Sequence, residues 1–486
     1  MSIGMQSFIV IVAYLFILLG VTLYSVRSQS VKNVEGFFLA NRGVSSVLLP
    51  LTMIAAMQST FAFLGAPGMY YLHGVGFIVL VLSQGWCALM VIYFGSKING
   101  LGRKYGYMTI GDYFEDRFDS RFLKVWSAAI SALMTVVFLA MQYVGSARAI
   151  DVITRGEVPY IAGLAIIAFF SLLYVVIGGA KSVVLTDAIQ AVILIVGIVI
   201  AAWIAVGPSG GIVKLFTAVA EKSPELLSRP GPKGLYNDKN WMMQFIVLPF
   251  GIWLCPHVWM RSLMAKDAKA IANSAMSIPL SQIVIYATAT LFIGLSGHVL
   301  LTGQVVPDTV LPMLMNKYTN WFVASVIIAA SLAAGLSTIN SMILVSSQLF
   351  SQDIYKLFKG KMEEGQNLRI SRILTVFIVL LGVGIALRPP QALVSVVIDV
   401  AYTGLAQLAP AFILGLYWRK CNRAGATAGM TVGILILFYT RVMKIAPMGY
   451  PGFLWAFFAN LLLVVLISMM TKGEEEERLN RFFAKA

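Results

Sequence analysis

The chain has 486 residues, of which 59% are hydrophobic and only 12% are charged, and its mean hydropathy is +0.84. Soluble proteins do not have this composition, and no polar stretch is long enough to bury a core of its own, so the sequence predicts one membrane-embedded domain over residues 1–486. The net charge of +15 comes from short loops between apolar runs, which excludes a nucleic-acid partner and indicates membrane topology.

Thirteen apolar runs are long enough to cross a bilayer, which takes about 20 residues per helix. They lie near residues 6–26, 45–71, 74–98, 123–147, 159–178, 182–207, 242–262, 273–301, 319–350, 369–388, 390–417, 422–441 and 449–471. Basic residues (Arg27, Lys32) follow the first run and none precedes it, which is the reverse of a secretory signal. The first run is therefore predicted to remain as a helix with its N-terminus outside.

The loop charges support this topology. An odd number of spans puts residues 472–486 in the cytoplasm, and most of the 36 Lys and Arg residues then fall in cytoplasmic segments, as the positive-inside rule requires. The sequence predicts a multi-pass protein of the inner or plasma membrane, embedded in the lipid bilayer. No obligate protein partner is indicated.

Several chemical classes are excluded by missing motifs. GGAKS at 178–182 lacks the spacing of a phosphate-binding loop, which argues against an ATP-driven pump. His73, His257 and His298 do not fall at metal-ligand spacing. Transport, channel and sensing functions remain, and an enzyme is not expected.

Helix breakers interrupt two of the runs. The second run contains GAPG at 65–68, and the seventh contains Pro249 and Pro256. Backbone groups freed inside a membrane are tolerated where they line a cavity, so two broken helices five spans apart indicate a transporter built from paired repeats.

Polar side chains within the apolar runs are the candidate functional residues. Small polar residues cluster at 337–341, where they serve either close helix packing or the binding of sodium, a hard cation that takes neutral oxygens. Asp187 and Asp399 place carboxylates inside spans, and Asp399 is predicted to be the deepest acid of the chain. Such a group is either hydrogen-bonded to neighbouring helices or part of the transport pathway.

These features come together in a family resemblance. The motifs that carry it are GAPG, IGGAKSVVLTDAIQ, PHVWMR, LAAGLSTINS, QDIYK and LGLYWRKCNRAGATAG, in this order. Over almost its whole length the chain resembles the sodium:solute symporter family, which includes carriers of proline, pantothenate, monocarboxylates, sialic acid and glucose. Several independent motifs in the right order make the resemblance specific.

The resemblance implies an all-α membrane protein with a LeuT-type core of two inverted five-helix repeats. In this sequence the parts are an extra first helix at 6–26, a first repeat at 45–207, a second repeat at 242–417, two C-terminal helices at 422–471 and a cytoplasmic tail at 472–486. This division agrees with the count of thirteen spans.

The resemblance also implies the ion sites. The principal sodium site would use the backbone carbonyls of Ala55, Gln58 and Ala334 and the hydroxyls of Ser337 and Thr338. Some members bind a second sodium, and its ligands would map onto Asp187, Ser337, Asn340 and Ser341. In this chain Asn340 replaces a hydroxyl residue, which weakens the second site.

The solute is expected to lie at the two breaks. Its predicted contacts are Gln58, Ser59, Trp253, Pro256 and Asp399. The chain departs from the pattern of the proline carriers at Met57, Leu248 and Ile252, whereas GSARAIDVI and PHVWMRSLMAKDAKA resemble the pantothenate and monocarboxylate branch. The sequence therefore predicts sodium-coupled uptake of a small carboxylate, such as pantothenate or a monocarboxylate, by alternating access. The alternatives are a proton-coupled symporter of amino acids or other solutes, using Asp187 or Asp399, and an ion channel or solute sensor.

Overall fold

A computed structural model of the chain describes residues 1–28, 33–360, 362–389 and 396–483. Within these ranges the protein is helical, and its one β contact is an isolated parallel bridge between Val44 and Ala265. Lys32, the start of the span predicted at 390–417 and the last three residues of the predicted tail lie outside the described residues.

The described α-helices are numbered here in chain order. They are α1 (Ile3–Ser28), α2 (Val34–Leu39), α3 (Leu48–Met57), α4 (Ala66–His73), α5 (Val79–Met90), α6 (Ser96–Tyr105), α7 (Ile110–Phe118), α8 (Arg121–Ile153), α9 (Tyr160–Val206), α10 (Ile212–Lys222), α11 (Asp238–Trp253), α12 (Pro256–Met264), α13 (Ala268–Gln282), α14 (Leu291–Leu300), α15 (Val310–Tyr318), α16 (Trp321–Gln348), α17 (Lys356–Lys359), α18 (Glu364–Ala386), α19 (Thr403–Ala406), α20 (Ala409–Tyr417), α21 (Arg423–Val442), α22 (Gly452–Met470) and α23 (Glu476–Phe483). Wider π-helical turns connect or extend several of them, at Phe61–Gly65, Val91–Gly95, Ile283–Thr290, Leu349–Tyr355 and Val397–Tyr402.

Ten helical stretches in the described residues are long and apolar enough to cross a membrane, and the bent pair α11–α12 makes an eleventh if it is counted as one span. The count of thirteen stays a prediction, because two predicted boundaries fall inside continuous stretches. One stretch, Phe61–Tyr105, joins the second and third predicted spans, and α9 runs through the boundary predicted near residue 180. A kink at Gly179 (φ 58°, ψ −164°) marks that second boundary, and a Cβ there would lie 2.9 Å from the ring of Phe37, so glycine is required.

The break in the second predicted span lies earlier than the GAPG motif. Helix α3 ends at Met57, Gln58 is extended (φ −95°, ψ 131°), and helical structure resumes with the π-turn Phe61–Gly65. The GAPG prediction is wrong in position because Gly65 and Ala66 keep helical φ/ψ, and the wider π-turn Phe61–Gly65 comes directly before Pro67 in an unbroken helical stretch.

The second break lies just before Pro256 and not at Pro249. Pro249 remains inside α11, whereas the chain turns by 51° between Trp253 and Pro256, and Pro256 is the first residue of α12. A proline at the first helical position costs no intrahelical hydrogen bond, which is why α12 begins there.

Helix α16 forms the centre of the packing. Every residue from Ile327 to Leu349 is buried, and the helix contacts α1, α3, α8 and α9. An all-round apolar helix with small residues is expected in this position, since it can be approached closely from several sides. The C-terminal end of α3 lies against α16, α9 and α13, which brings the first break to the middle of the molecule.

At one end of the bundle, charged side chains tie the helix ends together. Arg117 on α7 donates from Nε to the Gly415 carbonyl at 2.7 Å and from Nη2 to the Cys421 carbonyl at 2.9 Å. Helix α23 covers this region through Arg481, whose Nη1 lies 2.8 Å from Asp116 Oδ1, and through the buried ring of Phe482. This end of the bundle is closed.

Candidate functional site

The first break and α16 bring five oxygen atoms together. Ser337 Oγ donates to the carbonyls of Ala55 and Ala334, both at 2.9 Å. Thr338 Oγ1 lies 2.9 Å from the Gln58 carbonyl, 3.2 Å from that of Ala334 and 3.4 Å from that of Ala55. All five residues are fully buried. The three carbonyls and two hydroxyls expected for the principal sodium site are therefore neighbours in space.

Local structure explains why these oxygens are available. Because α3 stops at Met57, carbonyls of its last turn lack the amide partners that a continuing helix would supply, and the negative end of the helix dipole points to this position. Gly335 allows α16 to approach, since a Cβ there would lie 2.6 Å from Thr60 Cγ2 and 2.8 Å from Ser146 Oγ.

Polar side chains fix the residues that follow the break. Thr60 donates to Gln142 Oε1 from its backbone N (3.1 Å) and from its hydroxyl (2.6 Å), and the amide of Phe61 donates to Ser59 Oγ at 3.1 Å. Gln142 was not among the predicted site residues, although a glutamine inside the apolar run of α8 is a visible signal in the sequence.

This group of oxygens is suited to a monovalent hard cation. It combines neutral donors with the negative end of a helix, so it can balance one positive charge without a buried carboxylate. The hydroxyl protons point to carbonyls in the described arrangement, and each hydroxyl can rotate to offer a lone pair to an ion.

The residues expected to form a second ion site surround an arginine. Arg261 Nη2 on α12 lies 2.7 Å from Asp187 Oδ2 and donates to Ser341 Oγ at 2.8 Å. Thr52 Oγ1 donates to the same carboxylate oxygen at 2.7 Å, and Arg261 Nε donates to the Thr52 carbonyl at 2.9 Å. The side chains of Arg261 and Asp187 are 2% and 0% exposed, so the pair is shielded from water on all sides.

The residues predicted to bind a second sodium ion therefore do not form one site. Asp187 and Ser341 both contact Arg261, Ser337 faces Ala55 and Ala334, and the amide of Asn340 has no hydrogen-bond partner among the described residues. A fixed guanidinium already supplies positive charge beside Asp187. In the sequence, Arg261 stands out only as the last residue of the PHVWMR motif, because its partners lie 74 and 80 residues away along the chain.

The residues predicted to contact the solute separate into four locations. Gln58 and Ser59 lie in the first break, with Gln58 Nε2 at 3.5 Å from Ser281 Oγ. Trp253 packs against the rings of Phe94 and Phe412, with centroids 5.2 Å away in each case.

Pro256 and Asp399 lie elsewhere. Pro256 lines a small cavity together with Met108, Gln348 and other residues near the closed end of the bundle. Asp399 lines a different cavity of about 790 Å³, beside Arg441 and Lys444, and neither Gln58 nor Trp253 lines it.

The prediction that Asp399 is the deepest acid of the chain is wrong. Its side chain is 39% exposed and its Oδ2 lies 3.4 Å from Arg441 Nη1, whereas Asp187 and Asp353 are fully buried. Asp399 belongs to the π-turn Val397–Tyr402, which directs it toward α21 and away from the first break. Depth within an apolar run therefore did not measure depth in the protein.

Comparisons with known proteins agree with this arrangement. The model of the sodium:solute symporter family matches residues 37–433. The sodium/pantothenate symporter of Escherichia coli (strain K12) is 28% identical over 454 residues, covering 90% of this chain and 91% of that protein. The sodium/pantothenate symporter of Haemophilus influenzae is 30% identical over 435 residues, covering 87% and 88%. A sodium/proline symporter of Staphylococcus saprophyticus is 26% identical over 496 residues, covering 96% and 93%.

Solved structures show the same fold. A Na+-coupled sialic acid symporter in a substrate-bound, outward-open state superposes with a TM-score of 0.83 at 18% identity, covering 98% of this chain and all of that one. Mhp1, a nucleobase-cation-symport-1 family transporter, gives a TM-score of 0.59 at 13% identity, covering 92% and 97%. These neighbours confirm the predicted all-α, LeuT-type fold, while the boundaries of the two repeats stay a prediction.

Proposed function

This chain belongs to the sodium:solute symporter family, and on that premise we propose that it carries a small carboxylate, such as pantothenate or a monocarboxylate, into the cell together with sodium. Family membership makes it a sodium-coupled, multi-pass membrane transporter and not an enzyme, as predicted. The carboxylate is supported by the two sodium/pantothenate symporters among its relatives.

The observation that carries the proposal is the meeting of Ser337 and Thr338 with the carbonyls at the end of α3. Sodium bound by Ala55, Gln58, Ala334, Ser337 and Thr338 stabilises the non-helical break at residues 58 and 59, and Gln58 and Ser59 contact the solute. Ion and solute then favour each other's binding by the same coupling free energy.

One sodium ion per solute fits the charges. Arg261 supplies a permanent positive charge beside Asp187 and Ser341, where a second ion would otherwise bind. A membrane potential contributes roughly 2.3 kcal/mol per net charge per 100 mV. Co-transport of one sodium with a monovalent carboxylate moves no net charge, so the sodium concentration gradient alone drives this cycle.

The orientation follows from the loop charges. We place the protein in a bacterial plasma membrane with its N-terminus outside the cell and its C-terminus in the cytoplasm. Most Lys and Arg residues then lie on the cytoplasmic side. The closed end of the bundle, with α7 and α23, is then cytoplasmic, and uptake by alternating access requires this end to open.

The test is uptake of labelled pantothenate into proteoliposomes with an imposed sodium gradient. The protein is expected to accumulate the label only with sodium, and Ser337→Ala with Thr338→Ala should abolish this stimulation. Ser347→Ala is the matched control, because Ser347 is buried on the same helix and its hydroxyl donates only to the Leu344 carbonyl one turn away. Sodium stimulation that survives in the double variant would contradict the assigned ion site.

A further inference from the structure

Three glutamines near the first break have unpaired amide atoms although they are buried. Gln58 and Gln282 are fully buried and Gln84 is 2% exposed. Among the described residues, neither amide atom of Gln282 has a hydrogen-bond partner, and the side-chain oxygens of Gln58 and Gln84 have none. Buried amides are normally paired, so each of these atoms calls for a physical explanation. Gln58, Gln84 and Gln282 are called the amide cluster below.

Contacts connect the amide cluster across three elements. Gln58 Nε2 lies 3.5 Å from Ser281 Oγ, next to Gln282 at the end of α13. Gln84 on α5 hydrogen-bonds to Tyr286, which follows Gln282 by four residues on the π-turn. The cluster therefore lies where α5, α13 and the first break meet.

A row of aromatic rings runs from this cluster to the loop before α11. Tyr286 lies 6.0 Å from Phe61, Phe61 lies 6.1 Å from Phe77, and Phe77 lies 5.1 Å from Tyr70 and 6.4 Å from Tyr236. The hydroxyls of Tyr70 and Tyr236 are also buried without a partner. The unpaired hydroxyls of Tyr70 and Tyr236 and the amide cluster thus lie along one row of contacts between the loop and the break.

Gln282 differs from the other buried glutamines in the described part of the chain, because each of those has a hydrogen bond through at least one amide atom, although the side-chain oxygens of Gln190 and Gln244 are also unpaired. Gln142 accepts two hydrogen bonds from Thr60, and Gln407 accepts one from Asn460 Nδ2 and donates one to the Thr403 carbonyl. Among the described glutamines, only Gln282 has both amide atoms unpaired. It lies next to Gln58 at the proposed sodium site, which points to a ligand that completes the unpaired atoms of the cluster.

We infer that the amide cluster binds uncharged hydroxyl or amide groups of the transported solute, so that the solute is a hydroxyl- or amide-bearing carboxylate and not a bare monocarboxylate or an amino acid. Each glutamine offers both a donor and an acceptor, which matches hydroxyl and amide groups and provides no negative charge for an ammonium group. A site that binds such groups rejects an analogue without them strongly, because its own polar atoms are then left buried and unpaired. The inference rests on the proposed function and narrows its solute class.

The experiment measures competition for sodium-driven uptake of labelled pantothenate, which carries hydroxyl and amide groups, by unlabelled pantothenate, butyrate and proline in proteoliposomes. The wild-type protein is expected to prefer pantothenate to butyrate by at least about 100-fold. Gln282→Leu should weaken pantothenate binding by about tenfold for each lost hydrogen bond and leave butyrate unchanged. Gln407→Leu is the control, because it removes a paired buried amide and should leave the ratio of the two affinities unchanged.

The outcomes separate the two proposals. If uptake is sodium-driven but butyrate or proline competes as effectively as unlabelled pantothenate, the inference is overturned and sodium symport still stands. The absence of sodium-driven uptake of any carboxylate refutes the proposed function. If Gln282→Leu does not fold, Gln84→Leu decides the question, and an unchanged pantothenate-to-butyrate ratio in that variant overturns the inference.

Discussion

Replacing Arg261 by Met tests whether the buried ion pair stabilises the packing of four helices. The guanidinium contacts Asp187 on α9, Ser341 on α16, Thr52 on α3 and the His257 carbonyl of its own helix, and 2% of its side chain is exposed. Removing one partner of a buried pair leaves an uncompensated charge and costs about 3–5 kcal/mol. Since folded proteins are stable by only about 5–15 kcal/mol, Arg261→Met should lower the apparent Tm in detergent clearly.

A double-mutant cycle identifies the cause of the loss. Arg261→Met combined with Asp187→Leu removes both charges, and replacing a buried pair by apolar residues is often neutral, so the double variant should be more stable than either single variant. Glu476→Gln is the control, because its partner Arg419 is 44% exposed and an exposed pair contributes at most about 1 kcal/mol. The reasoning is refuted if the two single losses simply add, or if Arg261→Met is as mild as the control.

Two further predictions concern packing and access. Gly335→Leu should raise the sodium concentration needed for half-maximal uptake by at least tenfold, because its side chain would meet Thr60 and Ser146, whereas Gly20→Leu, with no atom within 4 Å of its Cβ, should leave uptake unchanged. Burial raises the pKa of the Cys421 thiol to about 12, so little thiolate forms below pH 9 and alkylation at pH 8 should be slow. Ending the chain before α23 should speed that alkylation, and equal rates would show that α23 does not cover this end.

Local patterns identified the elements but not all of their ends. Apolar runs predicted the membrane helices, and the polar residues at 337–341 were recognised within an otherwise apolar span. The GAPG motif predicted the position of the break incorrectly, because Pro67 is accommodated within helical structure. The chain breaks at Gln58 instead, and glutamine is not a helix breaker that the sequence would reveal. The depth of Asp399 was misjudged for a similar reason, since a run of apolar residues does not specify which way a π-turn directs its side chain.

The sequence by itself determined that the chain is a helical membrane protein and which family it resembles, because hydropathy, helix period and motif order are local properties. Through that resemblance it also predicted which residues supply oxygens to the expected sodium site. Only the tertiary structure decided that Arg261 pairs with Asp187 and that three glutamines meet beside the first break. These side chains lie far apart along the chain, and nothing in their own neighbourhoods specifies their partners. Their roles follow from which helices pack together, and the small residues along α16 make that packing possible.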